Sequence, residues 1–309
     1  MEPLWTDRPD ATARLEALYK GRKIRKAERD DLAHFIEHGW IIWRNAIEPE
    51  LIDAFVRDIR GYHEHPEKFV TTNHRQGQSK LKLSGSTPDR FESLFDLYVN
   101  LPSALAVCLH SRIVRFLTLV FESKPVAMQQ LLFQRSNMHA VHQDTSVVAV
   151  QEILQLAASW IALEDVVEGS GELAFFDRSH KLPHYLFKNG TKRINWIEDD
   201  HAVYAKALED ACRKAGYEYQ RFLAKKGDVL IWSADLVHLS HPRRLPEDTS
   251  RLSCVTHYHP ETTYPFWFHY HKDHHTILPY EDRAFYVSMH YLLNEAGSGM
   301  LRPHSSMVG

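Results

Sequence analysis

The change in hydrophobic pattern near residue 126 is the feature that most constrains the fold of this chain. Up to residue 121 apolar residues recur mostly at helical spacing, as in ERDDLAHFIEH (28–38). Beyond it, short β-rich segments follow one another, separated by turn signals such as EGSG (168–171). Strands are predicted at 126–133, 155–164, 172–176, 228–232 and 251–258, with a helical insert at 201–215. Without alternating βαβ units, this order predicts an α+β protein, mainly β, in which helices buttress a sandwich or barrel.

The domain organisation follows from the absence of any break in composition. A length of 309 residues allows two domains or one large one. We find no linker and no internal repeat, so we expect a single domain over 1–309. Its predicted parts are a mostly helical part at 1–121, a β core at 126–260 and an aromatic, histidine-rich C-terminal extension at 261–309.

Charge and cysteine content narrow the class of protein. The 37 basic and 40 acidic residues give a net charge of −3, so no nucleic-acid or membrane-surface partner is expected. Three separated cysteines do not suggest a disulfide scaffold or a zinc site. No apolar run approaches the ~20 residues that span a bilayer. We expect a cytoplasmic protein that acts on a small molecule, and the sequence leaves open whether it is a monomer or a homodimer.

Histidine is abundant, with 21 copies, and neutral imidazole is the commonest metal ligand. The motif His142-Gln143-Asp144 spaces an imidazole and a carboxylate two residues apart, which on extended backbone points both to one face. A predicted strand, VLIW, follows Gly227-Asp228 and leads to His238. A second H-x-D, at 271–273, has no such partner downstream, so the first motif is the candidate site.

Two imidazoles and one carboxylate on a triangular face are typical of non-haem Fe(II), which then keeps three positions open. A 2-oxo acid can occupy two of these positions and O2 the third. The far carboxylate of 2-oxoglutarate then requires a fixed cation with two-pronged donors, and Arg251 at the start of the last predicted strand offers one. Ser240, two residues after His238, could donate a second hydrogen bond.

Four blocks carry a resemblance to a known family. They are LLFQRSNMHAVHQD, SWIALEDVVEGSGELAFFDRSH, AKKGDVLIWSADLVHLSHPRR and SRLSCVTHY. Over roughly residues 28–260 the chain resembles the phytanoyl-CoA dioxygenase (PhyH) family of Fe(II)/2-oxoglutarate-dependent oxygenases. The resemblance implies a double-stranded β-helix, a jelly-roll or cupin-like core. It also implies that His142, Asp144 and His238 bind iron, that Arg251 and Ser240 bind 2-oxoglutarate, and that Trp160 lines the pocket of this cosubstrate.

By the same resemblance, the activity is a dioxygenase reaction that consumes 2-oxoglutarate and O2 and releases succinate and CO2. Halogenases of this type lack the acidic ligand, so Asp144 favours hydroxylation of a small molecule, while desaturation, ring formation and epoxidation remain alternative outcomes. One rival is a cupin-like hydrolase or isomerase that does not use 2-oxoglutarate. Another is an inactive binding protein on the same fold. The sequence does not distinguish an acyl-CoA, an amino acid and a secondary metabolite as substrate.

Several residues remain alternatives or weaker candidates. His241 rivals His238 as a ligand, and Arg243 and Arg244 rival Arg251 as the anchor. Trp160 could serve packing alone. Three residues are candidates for substrate contact: Gln129, His257 and His74. His257 fits a satisfied core position equally well, and His74 lies in a polar loop that could be a lid or plain surface.

Overall fold

A computed structural model describes residues 1–64, 94–135, 140–246, 249–269, 276–293 and 299–301. The helices are α1 (Ala11–Lys20), α2 (Lys26–His38), α3 (Pro49–Glu64), α4 (Pro102–Cys108), α5 (Ser111–Phe121), α6 (Asp144–Val147) and α7 (His201–Lys214). The first strands are β1 (Trp40–Trp43), β2 (Leu94–Phe95), β3 (Pro125–Phe133), β4 (Ala157–Ala162), β5 (Leu173–Phe176) and β6 (Tyr219–Phe222). They are followed by β7 (Val229–Ser233), β8 (His238–Ser240), β9 (Ser253–Pro260), β10 (Leu278–Tyr280), β11 (Ala284–Tyr286), β12 (Tyr291–Leu293) and β13 (Gly299–Leu301).

Two sheets form the β core. The major sheet has eight strands in the order β1-β7-β4-β9-β3-β11-β10, with β2 added to β3. The minor sheet has three strands in the order β6-β5-β8. Strands that are far apart in sequence, such as β4 and β9, pair along their length. Both of these strands are buried on both faces.

The N-terminal helices cover the outer face of the major sheet because each has an apolar stripe. On α2 this stripe includes Leu32 and Phe35, both fully buried. On α5 it includes Phe116 and Leu117. The helix α2 ends at Gly39, whose φ of +81° is left-handed and favours glycine. These side chains pack in one cluster with the outward residues of β4, β7 and β9.

The strands alternate between the two faces, and this alternation decides what lies between the sheets. On β4, Ala158 and Trp160 point to the inner layer while Ser159 and Ile161 point outward. Trp232 of β7 and Val255 of β9 join the same inner cluster. The space between the sheets is therefore lined by one face of the major sheet, and the candidate site opens there.

The C-terminal extension adds to the core instead of lying apart from it. β11 pairs in parallel with β3, and β10 pairs with β11. Asp96 accepts hydrogen bonds from Ser288 (2.6 Å) and from His290 Nδ1 (2.8 Å), which ties the extension to the start of the β core. His290 in turn stacks on Phe95 at 4.3 Å between ring centres. The extension thus supports Phe95, whose side chain lines the cavity described below.

The five predicted strands and the helical insert at 201–215 are all present with shifts of a few residues. One shift matters for the site, because β9 begins at Ser253 and Arg251 precedes it. No single helix in the described ranges is long and apolar enough to cross a membrane. Within these ranges, only α4 and α5 taken together, which meet at a 47° bend, have the length and apolar composition of such a span. Cys108, Cys212 and Cys254 are buried free thiols.

Candidate metal and cosubstrate site

His142, Asp144 and His238 come together between the sheets. One ligand atom from each lies within 4.8 Å of the others. Asp144 Oδ1 is 3.7 Å from His142 Nε2 and 3.5 Å from His238 Nε2. Asp144 and His238 are buried and His142 is nearly so. Among the residues that the structure describes, this is the one such group that could hold a metal ion.

Backbone pairing brings the two halves of the site together across nearly a hundred residues. His142 and His238 form an isolated antiparallel bridge, with both N–H···O distances at 3.0 Å. The extended conformation predicted for H-x-D holds only to Gln143, and Asp144 is the first residue of α6. The extended backbone on which the sequence argument relied therefore does not include Asp144 itself. The carboxylate still reaches the imidazoles because Gln143 is extended and the helix turns immediately after it.

The ring nitrogens show which tautomer each histidine adopts. His142 Nδ1 lies 2.8 Å from the carbonyl of Ala140, and His238 Nδ1 lies 2.9 Å from the carbonyl of Leu236. A carbonyl only accepts, so Nδ1 must carry the proton in both rings. In the neutral ring, Nε2 then carries the lone pair that a metal would accept, which is the usual arrangement around metal-binding histidines.

The carboxylate of Asp144 is held from the major sheet. Trp232 Nε1 donates to Oδ2 at 2.8 Å, and His257 Nε2 lies 3.5 Å from Oδ1. Burial alone would raise the pKa of Asp144, but the imidazoles of His238, His257 and His142 lower it below its usual value. Asp144 is therefore an anion in the folded protein, as a metal ligand must be.

Four side chains form a row across the inner face of the major sheet, one from each of four adjacent strands. Gln129 pairs with His257, His257 with Ala158, and Ala158 with Trp232. Directly paired residues share a face, so all four point toward the cavity. Gln129, His257 and Trp232 line the cavity, whereas Ala158 is fully buried. Within the described residues, His257 Nδ1 has no hydrogen-bond partner, although the ring is 5% exposed.

Arg251 is a buried cation beside this row. Its side chain is 2% exposed, Nη1 donates to the carbonyl of Gly171 at 2.8 Å, and its guanidinium carbon lies 5.8 Å from the centre of the Trp160 ring. Its Nε finds no partner in the described part of the chain. Burial lowers the pKa of Arg251 to about 10, which leaves it charged at neutral pH. A buried guanidinium whose Nε donor is unsatisfied fits an anionic ligand such as a carboxylate.

The alternative residues are occupied elsewhere. His241 Nδ1 pairs with the hydroxyl of Tyr219 at 2.7 Å. Arg243 donates to the backbone carbonyls of Ser170 at 3.2 Å and Thr249 at 2.7 Å. Neither these two residues nor Arg244 lines the cavity that holds the histidine cluster.

A cavity of about 260 Å³ joins the histidine cluster to Arg251. Eight residues singled out from the sequence line it: Gln129, His142, Asp144, Trp160, His238, Ser240, Arg251 and His257. The apolar walls include Phe95, Val147 and Val148. His74 lies outside the described residues.

Sequence reasoning missed the apolar walls of this cavity and three further side chains that bear on its chemistry: Trp232, Trp196 and His201. Trp232 was recognised only as part of an apolar strand, and its contact with Asp144 depends on the pairing of β7 with β4. Trp196 and His201 line the opening. A tryptophan and two isoleucines amid polar residues, in NGTKRINWIEDD, were the available signal for Trp196.

Comparisons with known proteins agree with this geometry. A family model described as phytanoyl-CoA dioxygenase (PhyH) matches residues 35–246. No curated protein matches the chain in sequence.

Solved structures with the same fold include the non-haem α-ketoglutarate-dependent epimerase SnoN from nogalamycin biosynthesis, at 15% identity and TM-score 0.59 over 84% of this chain and 98% of that one. The carbocyclase SnoK from the same biosynthesis matches at 15% identity and TM-score 0.57, over 81% and 91%. EctD from S. alaskensis, with 2-oxoglutarate and 5-hydroxyectoine, matches at 15% identity and TM-score 0.53, over 74% and 75%. The expected double-stranded β-helix is confirmed.

Proposed function

This chain belongs to the phytanoyl-CoA dioxygenase family and is a non-haem iron, 2-oxoglutarate-dependent oxygenase, and from that premise we propose that it hydroxylates a small molecule in the cavity between its two sheets. The observation that carries the proposal is the joint placement of a two-histidine, one-carboxylate cluster and a buried, incompletely paired arginine along one cavity. The cluster fits Fe(II), and the arginine fits the distal carboxylate of 2-oxoglutarate. A hydrolase or isomerase without this cosubstrate would leave Arg251 with no anion in the cavity.

Each residue has a distinct role in this proposal. His142, Asp144 and His238 hold the iron, whose chemistry when bound is to activate O2 at the expense of 2-oxoglutarate. Arg251 binds the far carboxylate, and Ser240, which lines the same cavity, donates a hydrogen bond to it. Trp160 packs beneath the guanidinium. Together these side chains fix the orientation of the cosubstrate.

The substrate side of the cavity has different chemistry. Gln129 and His257 are paired across β3 and β9 and offer an amide and an imidazole as hydrogen-bonding groups. If Nε2 of His257 donates toward Asp144, its Nδ1 is an acceptor for a substrate hydroxyl or amide. A substrate held there would lie next to the iron ligand. Asp144 fills the position that a halide takes in related halogenases, which supports hydroxylation as the outcome.

The test is a turnover screen. The iron-loaded protein is incubated with 2-oxoglutarate and panels of acyl-CoA esters, amino acids and secondary metabolites, and succinate release is measured. We expect one panel to stimulate succinate release and to yield a product that gains one labelled oxygen atom from isotopically labelled O2. A product that is desaturated, cyclised or epimerised would contradict hydroxylation while keeping the oxygenase assignment.

A matched pair of variants controls the screen. His238→Ala removes a metal ligand and is expected to abolish succinate release. His241→Ala removes the neighbouring histidine, which bonds to Tyr219 away from the cavity, and is expected to retain it. Equal loss in both variants would contradict the ligand assignment.

A further inference from the structure

The opening of the cavity carries an exposed tryptophan for which the iron and 2-oxoglutarate sites have no use. Trp196 is 66% exposed and lines the cavity. All seven tryptophans of the chain lie in the described ranges, and Trp196 is the only one of them that is mostly exposed to solvent. Large aromatic side chains contribute most when buried, so a tryptophan displayed to solvent at a ligand cavity points to a contact made in the bound state.

The segment that bears Trp196 is held in place. We call residues 192–200 the mouth loop. Lys192, at 2% exposure, donates to Asp235 Oδ2 at 3.0 Å. Ile194 is 5% exposed, and its N–H donates to the carbonyl of Ser146 at 3.1 Å. The mouth loop is thus anchored to the segment that carries Asp144.

Local hydrogen bonds also fix the backbone on both sides of the tryptophan. The N–H of Asn195 donates to Asp199 Oδ2 at 2.8 Å, and the N–H of Ile197 donates to Asn195 Oδ1 at 3.1 Å. Asp200 accepts from the N–H of Ala202 at 2.8 Å and caps α7. Trp196 is therefore presented on an ordered turn, and little conformational entropy is lost when a ligand covers it.

One face of the Trp196 ring is already supported. It stacks on His201 with ring centres 5.6 Å apart and an interplanar angle of 12°. His201 meets Tyr204 edge-on, with ring centres 5.9 Å apart. The Tyr204 hydroxyl accepts a hydrogen bond from the N–H of Gln143, the middle residue of the H-x-D motif. One stacked pair, one edge-on contact and one hydrogen bond thus connect Trp196 to the backbone of the H-x-D motif.

The surroundings of the opening indicate what the tryptophan would contact. Val147, 37% exposed, and Val148 line the cavity on the side of α6, and Phe95 lines it as well. An apolar group would bury these surfaces, whereas a charged one would lose its hydration against them.

We propose that Trp196, backed by His201, is a stacking platform for a flat, uncharged ring of the substrate, so that the enzyme selects substrates that combine such a ring with the carbon to be oxidised. The proposal rests on the proposed function, because it places the ring at the mouth of the same cavity. It identifies Trp196 as a specificity-determining residue that contacts substrate outside the iron and 2-oxoglutarate positions.

The test compares two probes of the same carbon skeleton, flat 2-naphthol and saturated decahydro-2-naphthol. Protein labelled with isotope only in tryptophan is loaded with Zn(II) in place of Fe(II) and with 2-oxoglutarate. The indole N–H signal of Trp196 is assigned by its absence in Trp196→Phe. We expect 2-naphthol to shift this signal and to bind roughly 2- to 10-fold more tightly than its saturated counterpart.

Three variants separate stacking from general hydrophobicity. Trp196→Ala should remove the preference for the flat probe, and Trp196→Phe should retain part of it. Ile197→Ala truncates the adjacent side chain, which is 89% exposed and does not line the cavity, and should leave the preference unchanged.

Equal affinities for the two probes, no binding of 2-naphthol, or a preference that survives Trp196→Ala would overturn the proposal. Binding of 2-oxoglutarate is measured by calorimetry on the same samples. If 2-oxoglutarate does not bind, the proposed function is contradicted. The difference in affinity between the two probes tests only the stacking role of Trp196.

Discussion

At the scale of single residues, Arg251 has the most demanding environment of the site. It is buried, its guanidinium makes one hydrogen bond to the carbonyl of Gly171, and its Nε is unsatisfied in the described structure. The carboxylates of Glu172 and Glu164 offset part of the cost of burying this cation, and an anionic ligand in the cavity would satisfy its remaining donor.

Arg251→Lys tests this explanation because it keeps the charge and removes the planar, two-pronged donor. We expect the affinity for 2-oxoglutarate to fall about 10- to 100-fold, as expected for loss of a hydrogen bond between charged groups. The measurement is anaerobic calorimetry with the iron-loaded protein. Arg243→Lys is the control, since Arg243 bonds to backbone carbonyls away from the cavity. A larger loss of 2-oxoglutarate affinity in Arg243→Lys than in Arg251→Lys would show that Arg243 binds the distal carboxylate.

Trp232 holds the carboxylate of Asp144, a proposed metal ligand. Its indole N–H donates to Oδ2, which leaves Oδ1 facing the two imidazoles. Trp232→Phe removes this donor while keeping an aromatic ring in the inner layer, and we expect Fe(II) affinity to fall about 10- to 100-fold. An anaerobic metal titration without 2-oxoglutarate measures it.

Trp160→Phe serves as the control for that titration. Trp160 lies on the same face of the neighbouring strand and packs beneath Arg251, so its replacement should leave Fe(II) affinity unchanged. If both variants bind iron as the unaltered protein does, Trp232 serves packing alone.

At the scale of elements, the junction between α2 and β1 is the tightest point near the site. Gly39 has φ +81°, and a Cβ placed there would lie 2.3 Å from Nδ1 of the buried His180. The carbonyl of Gly39 also accepts from the N–H of Ser233 at 2.9 Å, at the end of the strand that carries Trp232. The junction therefore sets the position of β7 relative to the helical layer.

Two glycine substitutions separate backbone strain from this close approach. Gly190 has φ +73°, and a Cβ added there would meet no described atom within 4 Å, so Gly190→Ala should cost only about 1 kcal/mol of unfolding free energy. Gly39→Ala adds overpacking against His180, and we expect a cost of about 3 kcal/mol. Chemical denaturation of both variants measures the difference, and equal costs would show that His180 moves aside freely.

At the scale of the whole molecule, buried neutral histidines make stability depend on pH. Burial lowers the pKa of His180 and of His259 to about 4 from the ordinary value of 6.5. Between these values the unfolded chain binds a proton that the folded chain does not, so stability falls as pH decreases. From pH 7 to pH 5 each histidine should cost about 2 kcal/mol of unfolding free energy.

Denaturation at the two pH values tests this expectation. His259→Asn removes one titrating group, so the loss of stability between pH 7 and pH 5 should shrink by about 2 kcal/mol. His269→Asn replaces an exposed histidine and should leave the loss unchanged. An unchanged loss in His259→Asn would show that His259 is protonated in the folded protein.

The elements and the reactive residues could be predicted from local sequence. Hydrophobic spacing is enough to locate strands and helices, and the chemistry of His142, Asp144, His238 and Arg251 limits what they can bind. The boundaries were less certain, since Asp144 starts a helix and Arg251 precedes its strand. These errors arise because a turn of backbone at a site is set by contacts that are distant in sequence.

The side chains that surround the reactive ones became known only from the folded arrangement of the strands. The pairing of β7 with β4 places Trp232 on Asp144, and a register shift between Ala127 and Gln129 on β3 sets Gln129 opposite His257. The anchoring of Lys192 on Asp235 puts Trp196 at the opening. Strand register and long-range ion pairs are formed by residues far apart in the chain, and local spacing contains no information about them.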